Sequence, residues 1–349
     1  MTLGDLVQAV GGELVSAERG VERSKIRGLC GIEDVEPGYV TYAENENWLK
    51  AAVASAPLAV IAKPGLDRPG GHTYIIHENP EAAYATGVHC YVLAEGRLTH
   101  PEPAIAGTAQ IDPTAKVATS VRIGHFVVVE SDTSIGERAE LRAGSRVGKR
   151  VVIGDECWIG ENAVICDNTE LESGVRVLPG AVVGSGGFSY ARDLQGVPRA
   201  NRHMGRVVIR AHAEIGANTV VARAEGEQKE TEIGDHAKVD SLVQIAHNCK
   251  VGARCTIAAQ TGLAGRVVLE DDVTLLGQVG VKQRTKVGRG ALVGGQAGVW
   301  GNLEGGRHYS GYPAEPHGRS IAKLVVLGKL YHAFLGKKLS CLRRSPTER

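Results

Sequence analysis

The chain has 349 residues, and its 40 lysine and arginine residues nearly balance its 39 aspartate and glutamate residues. This balance excludes the strongly basic character of a general nucleic-acid binder, so no nucleic-acid partner is expected. The 46 glycines and the 4% aromatic content favour thin, repeated β layers over a bulky helical core. The length predicts about two domains on a prior of ~150 residues each.

The cysteines and the apolar segments indicate the cellular compartment in which the protein is expected. The seven cysteines include no Cys-x-x-Cys pair, and an odd number in a chain of this length favours reduced thiols. The N-terminus lacks a basic segment followed by an apolar one, and no run reaches ~18 apolar residues. We therefore expect a cytoplasmic protein without a transmembrane segment.

The first part of the chain, residues 1–102, predicts a small α/β domain. Residues 3–10 have helical spacing, and the apolar runs 58–62 and 73–76 are typical of short strands bounded by Pro-Gly pairs. Residues 80–92 predict a helix with proline in its first turn.

An aliphatic residue then recurs at every sixth position. The series runs from Ile105 to Val183 without a gap, and it resumes in a new phase from Ile209 to Val299 with only Glu227 in an aliphatic slot. Small residues recur four positions after the aliphatic one. This is the hexapeptide signature, in which three hexads close a coil of ~18 residues. The sequence therefore predicts a mainly β protein with a parallel β-helix over residues 103–305.

Two segments depart from this period. Residues 184–206 are predicted to form a loop extruded from the β-helix, which in a solenoid often borders the binding face. Residues 306–349 predict a C-terminal helical extension, with a helix from residue 319 to about residue 342. Its basic side chains, which include Lys337 and Lys338, either form a solvated face or receive an acidic partner.

The candidate catalytic residue is His247, in the outward-facing third slot of its hexad. Its neutral imidazole suits proton transfer near neutral pH, so we predict a catalytic base. Position alone does not mark it, because His125 occupies the same slot of another hexad. The polar neighbours Asp240, Gln244 and Asn248 distinguish His247.

A metal site is the competing interpretation of this histidine. A zinc ion needs several histidine, cysteine or carboxylate ligands that converge on one point. The coils before and after His247 supply no second outward histidine at a matching slot. No metal site is therefore expected.

The segment 239–248, together with its hexads, the insertion 184–206 and the basic C-terminal helix, resembles the UDP-3-O-(3-hydroxyacyl)glucosamine N-acyltransferases of lipid A biosynthesis. The resemblance covers nearly the whole chain. It implies a left-handed parallel β-helix and a homotrimer with active sites between neighbouring β-helices. It also implies two substrates and no further cofactor: a UDP-sugar, and an acyl carrier protein that supplies the 4'-phosphopantetheine thioester.

The resemblance also implies roles for the residues around the base. His247 is the general base, Asp240 orients it, and the backbone N–H of Gly265 holds the oxyanion. Gln244 and Asn248 are expected to contact substrate.

A uridine site is implied in the N-terminal domain. Residues 40–48 match the family's uridine-binding segment. There Tyr42 and Trp48 would sandwich the uracil, and Asn45 would hydrogen-bond it. Flat aromatic faces suit base stacking, and the same two rings also fit a local core.

Four positions depart from the family pattern: Ser241, Arg284, Ala222 and Gly186. Arg284 stands where a second histidine is common, and its guanidinium suits substrate phosphates. The departures keep two alternatives open. One is another hexapeptide acyltransferase acting on a UDP-amino sugar, with an O-linked product or a coenzyme A donor. The other is a non-catalytic trimeric paralogue that binds sugar nucleotide.

Overall fold

A computed structural model describes residues 1–94 and 104–342, and it divides into two compact units, Met1–Pro101 and Glu102–Arg349. The predicted fold class is confirmed: a small α/β unit, a long parallel β-helix and a C-terminal helix. The predicted boundary at residue 102 lies outside the described residues. Within the described ranges, the helices are too short or too polar to span a bilayer.

The N-terminal unit is a five-stranded sheet with three α-helices. In chain order the strands are β1 (Glu13–Val15), β2 (Gly28–Leu29), β3 (Tyr39–Ala43), β4 (Ala59–Ala62) and β5 (Tyr74–Ile76). The helices are α1 (Leu3–Val10), α2 (Glu46–Ala54) and α3 (Pro80–Ala94), and two 3₁₀ turns cover Val21–Arg23 and Ile32–Asp34. The spatial order is β1-β5-β4-β3-β2, and only the β1–β5 pair is antiparallel.

Local signals fix the ends of the first helix. Thr2 and Asp5 form a reciprocal capping box, and Gly11 ends the helix at φ 75°, a left-handed conformation that glycine adopts without a steric penalty. Leu3, Leu6 and Val10 share the buried face. Helix α1 is therefore held by its caps and by one apolar stripe.

The second unit stacks short strands, most of them two residues long, into three parallel sheets. The first sheet contains Lys116–Val117, Ser134–Ile135, Val152–Ile153, Glu170–Leu171, Arg206–Ile209, Glu230–Ile233, Lys250–Val251, Val268–Leu269 and Lys286–Val287. The second contains Arg122–Ile123, Glu140–Leu141, Trp158–Ile159, Arg176–Val177, Glu214–Ile215, Lys238–Val239, Thr256–Ile257, Thr274–Leu275, Leu292–Val293, His308–Ser310 and the antiparallel Glu315–Pro316. The third contains Gln110–Ile111, Val128–Val129, Arg146–Val147, Val164–Ile165, Val182–Ser185, Val220–Ala222, Gln244–Ile245, Gly262–Leu263, Gly280–Val281 and Gly298–Val299.

The hexad period produces this core directly. Aliphatic residues 18 positions apart pair in register, as Ile245 does with Leu263, and both are at most 1% exposed. Small polar residues satisfy the buried backbone between coils: Thr133 donates to the Gly148 carbonyl and accepts the Val151 N–H. Buried backbone groups need such partners, so the coils stack without unpaired polar groups at these points.

The insertion carries a hairpin of two antiparallel strands, Tyr190–Arg192 and Pro198–Ala200. The C-terminal helix, α4, covers His317–Leu342. Near its start, Arg319 and Lys323 both pair with Glu315. The side chains of Lys337 and Lys338, predicted to form a solvated face or to receive an acidic partner, lie outside the described residues.

Candidate active site

His247 lies at a corner of the β-helix, just after the strand Gln244–Ile245 of the third sheet. Its ring is outside the aliphatic core, as the hexad slot predicts, yet the residue is only 7% exposed. The ring of His203, which comes from the insertion, packs edge-on against it with 4.8 Å between centroids. The insertion therefore converts an outward corner position into a sheltered one.

Hydrogen bonds around the ring determine which nitrogen is basic. Asn248 Oδ1 lies 3.0 Å from His247 Nδ1 and also accepts the backbone N–H of Glu225 at 3.2 Å. An amide oxygen only accepts, so His247 Nδ1 must carry the proton. The lone pair of the neutral ring is then on Nε2.

Gly265 faces that lone pair from the next coil. A Cβ built on Gly265 would lie 2.5 Å from His247 Nε2, so only glycine fits here without displacing the ring. At the same slot of other hexads the backbone N–H is capped by an aspartate one coil further on, as Asp155 caps Glu137 and Asp271 caps Ala253. The residue one coil beyond Gly265 is Gln283, so this N–H has no such carboxylate cap. The Gly265 backbone thus approaches the basic nitrogen closely, and no carboxylate of the following coil caps its N–H.

Glu225 and His203, two residues to which the sequence analysis gave no role, lie beside this corner. Glu225 Oε2 lies 3.8 Å from His247 Nδ1 and 2.5 Å from Arg266, and Glu225 Oε1 lies 3.9 Å from His203 Nε2. Burial acts to raise the pKa of Glu225, but the hydrogen bond from Arg266 and the nearby positive groups outweigh it, so this pKa lies below its ordinary value. Glu225 is therefore a carboxylate beside the ring of the candidate base.

A sequence signal for these residues existed. Val183, Val221 and Ile245 stack in register in the third sheet. The insertion leaves the β-helix directly after Val183, and the irregular segment that contains Glu225 follows Val221. Both breaks in the period therefore occur at the corner that carries His247.

A second histidine reaches the ring of His247 from the insertion, although the neighbouring coils supply none at a matching slot. Within residues 1–94 and 104–342, His203, Glu225 and His247 form a group whose potential ligand atoms lie within 4.8 Å of one another.

A groove of about 1110 Å³ extends from this corner along the third sheet. Its floor includes Gly262, Gly280 and Gly298, which pair in register one coil apart. Tyr312 packs over Gly298, where an added Cβ would lie 2.1 Å from its ring. The groove is thus an open channel with His247 toward one end and the aromatic ring of Tyr312 toward the other.

Several predicted substrate residues line or border the groove. Gln244 lines it, as do two of the positions that depart from the family pattern, Gly186 and Ala222. Arg284 lies one coil beyond Arg266, and its side chain is exposed. Its backbone has a φ of 60°, and its backbone N–H donates to the Gly265 carbonyl. The proposed contacts of all these residues with substrate remain predictions.

Within this chain the Asp240 carboxylate accepts backbone N–H groups, and its predicted role in orienting His247 stays a prediction. The two carboxylate oxygens accept the backbone N–H groups of Ser241 and Ala259, at 2.7 and 3.1 Å. Asp240 follows a strand of the second sheet, one corner before His247, so it caps the β-helix backbone. The groups beside Nδ1 of the His247 ring in this chain include Asn248 and Glu225.

The two rings predicted to sandwich the uracil contact each other in this structure, and the uridine site stays a prediction. Tyr42 and Trp48 contact each other edge to face, with centroids 5.7 Å apart and an interplanar angle of 75°. Both rings are half-buried against the core of the N-terminal unit. Asn45 Oδ1 accepts the Trp48 N–H as the N-cap of α2, at 3.0 Å. The local-core interpretation of the two rings fits this arrangement, because ligand stacking requires a gap between parallel faces.

The chain is similar to known transferases built from hexapeptide repeats. The family model "Bacterial transferase hexapeptide (six repeats)" matches residues 150–185 and 230–265. A solved structure of the Arabidopsis UDP-N-acetylglucosamine acyltransferase is similar at a TM-score of 0.53 and 27% identity, over 61% of this chain and 73% of that one.

The most informative relatives are named UDP-3-O-acylglucosamine N-acyltransferase. The Caulobacter sp. (strain K31) protein is 32% identical over 94% of this chain and 93% of its own length, and the Helicobacter hepaticus protein 34% over 83% and 85%. With the Methylobacterium sp. (strain 4-46) relative, the matched region is 38% identical but spans only 42% of that protein. Because the first two alignments span both chains, the protein belongs to the UDP-3-O-acylglucosamine N-acyltransferase family.

Proposed function

We propose that the protein transfers a 3-hydroxyacyl group from an acyl carrier protein to the 2-amino group of a UDP-3-O-acylglucosamine. The observation that carries the proposal is the pairing of His247 Nε2 with Gly265: a buried imidazole whose lone pair is fixed by Asn248, beside a backbone N–H of the next coil. Family membership supports the acceptor, since the relatives carry this sugar nucleotide in their names.

The chemistry follows from those two groups. The amine nitrogen attacks the thioester carbonyl carbon, and His247 Nε2 takes the proton that the nitrogen loses. The N–H of Gly265 donates to the oxyanion of the tetrahedral intermediate. When the C–S bond breaks, the imidazolium returns the proton to the thiolate, so the products are an amide and a free thiol. General base catalysis of this kind contributes roughly 10²–10⁴-fold.

The groove supports a long acyl chain. Strands one coil apart are spaced by about 4.8 Å, so the floor from Gln244 to Gly298 extends over about 14 Å. Glycine has no side chain, so this floor is flat, and apolar surface predominates along the groove. An extended acyl chain would lie there with its carbonyl carbon near His247.

The assembly and the other substrate sites belong to the same proposal. We infer a homotrimer, in which a neighbouring β-helix would close the open side of the groove. Arg284, exposed beside the Gly265 carbonyl, would contact the phosphates of the sugar nucleotide. The basic C-terminal segment would receive the acidic carrier protein and chiefly raise its rate of association.

A donor-by-acceptor activity matrix tests the proposal. Purified protein receives UDP-3-O-acylglucosamine or UDP-N-acetylglucosamine, each with 3-hydroxyacyl carrier protein or acyl coenzyme A, and the amide or ester product is measured by mass spectrometry. We expect amide only with the first acceptor and the carrier protein, and a loss of about 10²–10⁴-fold in His247→Ala. Equal rates in wild type and His247→Ala would remove the base from the mechanism.

The matrix also decides the alternative. The likeness to the Arabidopsis UDP-N-acetylglucosamine acyltransferase favours an O-acyltransferase as the second candidate, since the β-helix supports both chemistries. Ester formation on UDP-N-acetylglucosamine, with no amide on the amino sugar, would establish it. Binding of the UDP-sugar without any product would indicate the non-catalytic paralogue.

A further inference from the structure

His203, Glu225 and His247 bring three potential metal-ligand atoms together on the side of the His247 ring that faces away from Gly265. His203 Nε2 and His247 Nδ1 face the two oxygens of Glu225 at 3.9 and 3.8 Å, and all three groups lie within 4.8 Å of one another. Three atoms, one per residue, that lie within 4.8 Å of one another share a common point roughly 2.8 Å or less from each, against ~2.0–2.2 Å for zinc–nitrogen and zinc–oxygen bonds. A shift of at most about 0.8 Å per side chain would complete the coordination.

His203 provides an independent sign of a ligand. Its side chain is fully buried, and Nε2 has no hydrogen-bond partner among the residues the structure describes. Its other nitrogen, Nδ1, lies 3.3 Å from the Arg223 carbonyl oxygen and 3.2 Å from the Gly187 nitrogen. A carbonyl oxygen only accepts, so Nδ1 donates to it and the lone pair of the neutral ring is on Nε2. A Cβ on Gly187 would lie 2.3 Å from the ring. The insertion therefore holds the ring tightly with an unsatisfied nitrogen directed at Glu225. A buried polar atom without a partner is costly, which favours a group that satisfies it.

We propose that His203, Glu225 and His247 form a regulatory site for Zn²⁺, on the Nδ1 side of the catalytic imidazole. Two imidazoles and a carboxylate are a ligand set that zinc accepts, with a fourth position left for water. Arg266, 2.5 Å from Glu225 Oε2, keeps that oxygen as an outer-shell partner and leaves Oε1 to the ion. Zinc, rather than magnesium or calcium, is selected because two of the three ligands are nitrogen.

Zinc binding at Nδ1 would inhibit the transfer, and this part rests on the proposed function. Nδ1 now carries a proton that it shares with Asn248 Oδ1. Coordination needs the Nδ1 lone pair, so the proton of the neutral ring moves to Nε2. The nitrogen beside Gly265 then has no lone pair for the amine proton, and the ring stays neutral in charge while losing its function as a base.

Metal binding is measured first, without reference to activity. Full-length protein, stripped with a chelator, is titrated with Zn²⁺ against a chromogenic chelator of known affinity. We expect one tight equivalent per chain, lost or weakened at least tenfold in His203→Ala and in Glu225→Gln. The matched control is His236→Asn, because His236 stacks on His212 at 5.0 Å in another histidine pair. Absence of a tight equivalent in wild type, or equal weakening in the control, would overturn the site.

Inhibition is measured second, as the ratio of rates with and without Zn²⁺ for each protein. Wild type should lose at least 90% of its rate with one equivalent of Zn²⁺ and recover it with a chelator. His203→Ala should need at least tenfold more zinc for the same fractional loss, whatever its basal rate. Tight binding without inhibition would overturn the regulatory claim. Failure of every substrate pair in the activity matrix would overturn the proposed function and leave the binding result unaffected.

Discussion

The contact between Gly265 and His247 makes a sharp prediction for Gly265→Ala. The new Cβ would lie 2.5 Å from His247 Nε2 and 2.7 Å from Cε1. Non-bonded carbon contacts are optimal near 3.5 Å, so the ring must move by about 1 Å. It has little freedom to do so, because Nδ1 is bonded to Asn248 and the face packs on His203.

The expected result is a loss of activity with little loss of stability. A displacement of about 1 Å in a catalytic group can cost ~10²-fold in rate, which corresponds to about 2.7 kcal/mol of transition-state stabilisation. The assay is the initial rate of amide formation at saturating substrates, with the thermal midpoint recorded for each variant.

The matched control is Gly277→Ala, which occupies the same hexad slot at another corner. Its nearest non-neighbouring atom is Ala259 O at 3.5 Å, an ordinary contact, so rate and stability should both be retained. If Gly265→Ala keeps at least half of the wild-type rate, the reasoning that this ring position is needed for catalysis is refuted. Loss of activity in both variants would show only that the coil tolerates no added methyl group.

Three other predictions concern the groove and the β-helix. Gly280→Val should reduce the rate with long acyl donors relative to short ones, because the new side chain would project into the groove that Gly280 lines. An added Cβ there meets no atom within 4 Å, so the fold should tolerate it. An unchanged chain-length preference would place the acyl group elsewhere. Thr219→Val should lower the free energy of unfolding by about 1–3 kcal/mol, measured by urea titration. The substitution removes the hydroxyl that accepts the buried Val243 N–H and donates to the Asp240 carbonyl. The control is Thr256→Val, at an exposed position. Burial raises the pKa of Cys157 and Cys255 to about 11 and that of Cys249 to about 12, so their thiolate fraction at pH 8 is about 10⁻³ or less. Mass spectrometry after alkylation should find these three unmodified in native protein and modified in urea; rapid native labelling would contradict their burial.

The sequence alone determined the architecture of this protein because its information is periodic. An aliphatic residue at every sixth position allows only one set of side chains to point inward, so the coils, the three sheets and the outward slot of His247 follow without tertiary knowledge. The stacking of Gly265 one coil beyond His247 follows from the same count of 18 residues.

The tertiary structure decided what surrounds the base, because those contacts come from segments that interrupt the period. His203 and Glu225 are 44 and 22 positions before His247, and no repeat relates their side chains to its ring. Asp240, by contrast, is close to His247 in sequence but lies across a corner of the coil. There its carboxylate accepts hydrogen bonds from two backbone N–H groups. In regular hexads the direction of each side chain follows from its position in the repeat, whereas in an extruded loop it depends on tertiary packing.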